Sequence, residues 1–222
     1  MKKIIIGIST LVLLVTTSGC KSKEQAEWEE IYRQHYEERV NLFIEENKTA
    51  NDVDIVFLGD SLTEGYDVQK FYPDYNVLNR GIGGDTTFGV EKRLKESVYD
   101  VNPKLTAMLI GANNLNTMMD NYENILKSFK ENASEMKVIL LSLTSMTDNW
   151  ARNNKKAVKS NEKIKGYADE YGYTFVDLYN PLLDKNTNEL KKEYTTDGGH
   201  LTEEGYTVVT SVITPVVQEL LH

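Results

Sequence analysis

Asp54-Ile55-Val56-Phe57-Leu58-Gly59-Asp60-Ser61 is a short apolar run that stops on a glycine, an aspartate and a serine. Such a run, bounded by turn residues, reads as a buried strand over 54–58. The polar residues after it mark the point where a strand turns toward a helix. Outward from this stretch the same alternation recurs. Strands are expected at 75–79, 105–110, 137–143 and 174–178, several of them running into polar or glycine-rich segments. Helices are expected at 24–47, 86–98, 120–132, 155–171 and 202–221. In the first, Trp28, Ile31, Tyr32, His35, Tyr36, Val40 and Phe43 recur at spacings of three and four. In the last, Thr202, Glu203 and Glu204 suit an N-terminus.

Strands alternating with helices predict an α/β fold with a parallel sheet and helices on both faces. In such sheets ligands bind beyond the carboxyl ends of the strands. The segments Gly59 to Ser61, Gly81 to Asp85 and Gly111 to Asn114 all fall on that edge, so function is expected there.

The chain has 222 residues, 40% hydrophobic, enough for one sizeable core. Its 25 basic and 34 acidic residues give a formal charge of −9. An acidic surface repels phosphate backbones, so no nucleic-acid partner is expected. Cys20 is the one cysteine, which excludes an intramolecular disulfide.

The first twenty residues read as a leader, separate from the fold. Lys2 and Lys3 precede an apolar stretch, 4–15, that is short for a membrane span. Thr17-Ser18-Gly19-Cys20 resembles a bacterial lipobox, although Thr17 stands where leucine is usual. On this reading 1–19 is a lipoprotein signal peptide and Cys20 the lipid attachment point. Residues 20–27 form a tether and 28–222 the folded domain. The protein is then an exported bacterial membrane lipoprotein on the extracytoplasmic face, touching the membrane through its lipid alone. An ordinary secretory signal is the alternative. Loss of Lys2 and Lys3 leaves 23 basic against 34 acidic residues, or −11.

Ser61 is the candidate nucleophile. A serine hydroxyl attacks a carbonyl only once a base removes its proton. A strand-to-helix turn projects it into a site and aims nearby N–H groups at a developing oxyanion. The surroundings are not the G-x-S-x-G elbow, and taken alone Ser61 suits a helix cap equally well. Of the histidines, His35 lies on an apolar helix face and His222 ends the chain. His200 sits in Asp197-Gly198-Gly199-His200, immediately before the last helix. Asp197 can hold one imidazole nitrogen while the other faces the serine, fixing the tautomer. A capping aspartate beside a surface histidine is the plain alternative. Asn113 follows the strand at 105–110 and can donate a side-chain N–H to an oxyanion, or serve as a turn residue.

Together these segments resemble the SGNH (GDSL) hydrolase family over nearly all of the domain. Gly59-Asp60-Ser61-Leu62 matches its nucleophile block, 79–87 its second block, Gly111 to Asn113 its third and Asp197-x-x-His200 its fifth. The resemblance implies a flavodoxin-like three-layer α/β/α sandwich and hydrolysis through an acyl-serine intermediate, with no metal and no cofactor. It implies Ser61, Asp197 and His200 as the catalytic triad. The implied oxyanion hole is made by the N–H groups of Ser61 and Gly84 and the side chain of Asn113. Asn114 departs from the aspartate usual at that position. The Asn-Asn version is similar to the branch containing the catalytic subunits of platelet-activating-factor acetylhydrolase, which favours a short acyl pocket.

The expected substrate is therefore a small-molecule or glycan ester, with acetyl on carbohydrate leading. A lysophospholipase or thioesterase, or a non-catalytic surface binding protein, are the alternatives. Trp150 and Arg152 are candidate substrate contacts. Tyr66, Tyr72 and Tyr75 are read as packing, and Asp60 and Asp85 as residues bonding their own turns. The spacing Gly81-x-Gly83-Gly84 is not a dinucleotide fingerprint.

Overall fold

The structure is a computed structural model and describes residues 23–222. The leader, Cys20 and the lipobox lie outside the described residues.

A five-stranded parallel sheet forms the centre. Its strands are β1 (Ile55–Gly59), β2 (Val77–Gly81), β3 (Leu105–Leu109), β4 (Lys137–Leu141) and β5 (Thr174–Val176), in the order β2-β1-β3-β4-β5. Every residue of β1 and β3 is buried, so both faces of the sheet's centre are covered, as continuous apolar runs require. The helices around it are α1 (Lys23–Asn47), the short α2 (Ser61–Glu64) and α3 (Val68–Phe71), then α4 (Thr87–Lys92), α5 (Tyr122–Asn132), α6 (Asn154–Tyr171), α7 (Tyr179–Leu182) and α8 (Glu203–Leu221). A small antiparallel pair, β6 (Leu183–Asp184) and β7 (Glu189–Leu190), stands apart from the main sheet. The α/β expectation holds, and the sheet order is flavodoxin-like.

Three expectations are corrected. The second strand runs over Val77–Gly81, two residues beyond 75–79, because Ile55 pairs with Val77 and Gly59 with Gly81. The helix expected at 86–98 stops at Lys92 and resumes as a π turn over Lys95–Tyr99. The break is at Arg93, whose guanidinium turns inward to Asp85, the Arg80 and Gly59 carbonyls and Ser97. Residues 23–27, placed in the tether, are the first turns of α1. Nothing in Lys23–Glu27 breaks a helix, and Lys23 faces Glu27 one turn on.

The strand order reverses at β1, whose two edges pair with β2 and with β3. That switch point opens a crevice at the carboxyl ends. Ser61 follows β1 and Asn113 follows β3, so the two flank the crevice.

Candidate active site

Ser61 is the first residue of α2. Asp60 caps that helix, its Oδ1 accepting the Leu62 N–H at 3.1 Å, a contact of about 1 kcal/mol. With the cap taken by Asp60, the Ser61 hydroxyl is left free for another partner. That partner is His200, whose Nε2 lies 3.0 Å from Ser61 Oγ. The imidazole's other nitrogen, Nδ1, lies 2.7 Å from Asp197 Oδ2. A carboxylate only accepts, so Nδ1 carries the proton and the Nε2 lone pair faces the hydroxyl.

The imidazole is held by its own loop. Asp197 Oδ1 accepts the N–H groups of Gly199 at 3.0 Å and His200 at 2.8 Å. A bridge between Thr195 and Leu201 closes the loop, and Gly198 has φ +94°, a left-handed conformation open to glycine. Thr147 N–H donates to the Gly198 carbonyl at 2.9 Å, which ties this loop to the rim segment after β4. Burial pushes the Asp197 carboxyl up, but the His200 backbone and side chain and the Gly199 N–H outweigh it and hold its pKa below the ordinary value.

On the other side, Gly84 sits between β2 and α4 with φ +78°. Its N–H has no hydrogen-bond partner among the described residues. As the first helical residue of α2, Ser61 has an N–H without an intrahelical acceptor. Asn113 Nδ2 donates to the Asp85 carbonyl at 2.9 Å, so the third donor group is fastened beside Gly84's neighbour. Asn114 is fastened too: its Nδ2 donates to Thr87 Oγ1 at 2.9 Å. The Asn-Asn pair therefore joins the loop after β3 to the loop after β2 and to the start of α4.

The space in front of Ser61 is a pocket of about 60 Å³. Ser61, His200, Asn113 and Asp60 line it with polar groups, and Leu109, Leu143 and Met146 form a buried apolar floor. Trp150 is half-buried on its rim. Arg152, expected beside it, is exposed on the same turn and is not among the lining residues. Tyr66 and Tyr72 are packed in the core, Tyr66 stacked on Tyr206 at 5.0 Å. Asp60 is fully buried and burial pushes its pKa up to about 7. Asp85 does more than bond its own turn: its Oδ2 accepts from the buried Arg93 Nε at 2.8 Å and its Oδ1 from Tyr32 at 3.0 Å. That ion pair, and Glu64 beneath the same loop, were not singled out by the sequence. Arg93 reads there as an ordinary surface cation of a helix, and only burial distinguishes it.

Among the described residues no cluster of three or more His, Cys, Asp or Glu could hold a metal, and no helix is long and apolar enough to cross a membrane.

Residues 57–208 match the model of the GDSL-like lipase/acylhydrolase family. The chain is 29% identical over 121 residues to the alpha2 subunit of platelet-activating factor acetylhydrolase IB of Rattus norvegicus and Homo sapiens, covering 50% of this chain. It spans about half the length of these curated relatives, 53%. A GDSL-like lipase of Bacteroides thetaiotaomicron superposes with a TM-score of 0.69 at 26% identity, covering 86% of this chain and 98% of that one. An acetyl-xylooligosaccharide esterase of Geobacillus stearothermophilus shares the fold, with a TM-score of 0.62 at 18% identity over 76% of this chain and 95% of that one.

Proposed function

Because the chain belongs to the GDSL-like lipase/acylhydrolase family, we propose that it is a carboxylic ester hydrolase that removes short acyl groups, acetyl foremost, from oxygen esters of carbohydrate. The observation that carries this reading is the continuous contact Asp197–His200–Ser61, at 2.7 and 3.0 Å. His200 Nε2 takes the Ser61 proton as Oγ attacks the carbonyl carbon. The oxyanion receives the N–H groups of Ser61 and Gly84 and one amide N–H of Asn113. His200 then protonates the leaving alkoxide, and the same base activates water to free the acid and regenerate Ser61.

The acetyl preference draws on the floor of the pocket. Leu109, Leu143 and Met146 close it below Ser61, which suits a methyl better than an extended chain. The relatives named for platelet-activating factor acetylhydrolase point the same way. The carbohydrate half rests on the export reading and on Trp150, whose flat apolar face at the rim offers a packing surface for a sugar ring. The apolar character of the same floor favours a second reading, a lysophospholipase or thioesterase.

Profiling p-nitrophenyl esters from acetyl to palmitoyl, then acetylated oligosaccharides against lysolipids, separates the two. A maximum at long chains would replace the acetyl reading. No turnover of any ester, together with no fluorophosphonate labelling of Ser61, would leave a binding protein instead. The lipoprotein reading of residues 1–20 rests on the sequence. Incorporation of labelled palmitate, lost in Cys20→Ser, tests it.

A further inference from the structure

Three side chains of α1 reach the loop that carries Gly84. The Tyr32 hydroxyl donates to Asp85 Oδ1 at 3.0 Å, and its ring lies so close that a Cβ on Gly84 would sit 3.2 Å from Tyr32 Cδ2. His35 Nε2–H donates to Glu64 Oε2 at 3.0 Å, and that same oxygen accepts the Gly83 N–H. Arg39 lies 3.7 Å from the other Glu64 oxygen and donates to the Gly81 carbonyl. The residues on both sides of Gly84 are thus fastened to α1, directly at Asp85 and through Glu64 at Gly83.

The helix is anchored well enough to serve as a fixed support. Phe43 is fully buried beneath the guanidinium groups of Arg80 and Arg93, 4.7 and 5.8 Å from its ring centre. Arg93 in turn pairs with Asp85. All of α1 lies outside the matched segment 57–208, so this support comes from beyond the part of the chain that carries the reactive groups.

Gly84 has no side chain with which to pack, and a left-handed glycine is a soft point in a loop. An oxyanion donor must nonetheless stand within about 2.7–3.1 Å of an oxygen that becomes charged only in the transition state. We propose that Tyr32 and His35 are positioning residues for the reaction, holding the backbone on either side of Gly84 so that its N–H meets the oxyanion. This rests on the acyl-transfer reading above. A loosened donor weakens the transition state more than the bound ester, so the loss falls on kcat and spares KM.

The test compares Tyr32→Phe, His35→Ala and His35→Gln with the wild type on p-nitrophenyl acetate, alongside amide hydrogen exchange of the segment 82–89. Tyr32→Phe and His35→Ala should each lower kcat about tenfold, less than the 10²–10³ of deleting a donor outright, with KM within about twofold. His35→Gln, whose amide N–H reaches the same carboxylate, should recover most of that loss. Exchange in the segment should quicken in the first two variants. Unchanged kcat with a lowered Tm would reduce α1 to packing and overturn the proposal, as would His35→Gln behaving like His35→Ala. If the wild type hydrolyses no ester, the acyl-transfer reading falls separately. Exchange that is then the same in wild type and variants would remove the positioning role as well.

Discussion

Asn113 gives one of its two amide hydrogens to the backbone carbonyl of Asp85, at 2.9 Å. This bond joins the loops that follow β2 and β3, and it fixes the plane of the amide, so the remaining N–H has a set direction. Asn113→Ala removes a donor and a loop tie together. Its kcat on p-nitrophenyl acetate should fall about 10²–10³-fold. Steady-state kinetics that kept kcat within threefold would take Asn113 out of the oxyanion hole.

Ser61→Ala should abolish ester turnover and fluorophosphonate labelling. Among the described residues the Oγ hydrogen-bonds only His200 Nε2, and α2 keeps its cap on Asp60. Stability measured by denaturant melts should therefore stay within about 0.5 kcal/mol of wild type. Turnover that survived at the wild-type rate would place the nucleophile elsewhere.

The rate should climb with pH on an acid limb. A protonated imidazole has no lone pair for the Ser61 proton, so the reaction needs neutral His200. Asp197 adds no second limb in that range. Its carboxyl is held below the ordinary value and keeps its charge as the pH falls. Measuring kcat/KM across about pH 5 to 8, where histidines titrate, reads this directly; a flat profile argues that His200 is not the base.

Asp60 makes stability depend on pH in the opposite sense to an ion-paired acid. Burial raises its folded pKa from 3.8 to about 7. Between those values the unfolded chain has lost the proton and the folded one keeps it, so stability falls as pH rises and levels off above about 7. Asp60→Asn can still accept the Leu62 N–H and has no proton to lose. Its Tm advantage over wild type should grow from pH 4 to 7 and then plateau. A constant difference by calorimetry would mean that Asp60 is not held protonated.

Enlarging the floor should broaden the acyl range. Leu143 is buried beneath the pocket, and Leu143→Ala opens room there at a stability cost of about 2–5 kcal/mol. The ratio of butyryl to acetyl turnover should rise severalfold. An unchanged ratio would put the acyl group elsewhere in the crevice.

Much of this was legible in the sequence because local rules coincide with the tertiary outcome. The runs 55–58 and 105–110 are apolar but for Thr106, and such strands form where both faces are covered. The loop 197–200 carries its own geometry in two adjacent glycines and an aspartate three residues before the histidine, so the pairing of Asp197 with His200 is local. What stayed hidden was long-range. Arg80 and Arg93 are fully buried, but no periodicity marks an arginine as a core residue. Their partners, Glu46 and Asn47 for Arg80 and Asp85 for Arg93, come from other elements. His35 reads as a helix-face histidine until Glu64, 29 residues later, is brought beneath it. The end of β2 was missed for the same reason: Gly81 belongs to the strand only because Gly59 stands opposite.

The loop that bears His200 does not stand alone. Its Gly198 carbonyl takes the Thr147 N–H, and a side chain on Gly198 would strike the Thr147 carbonyl at 2.6 Å. Trp150, three residues past Thr147, therefore shares a backbone splint with the histidine. If Trp150 packs against the alcohol as proposed, its recognition is mechanically linked to proton transfer, and remodelling 147–150 should shift the imidazole's register against Ser61. New specificity would come more freely from Leu143, in the buried floor, whose backbone is tied to Asn161 and not to the loop of His200.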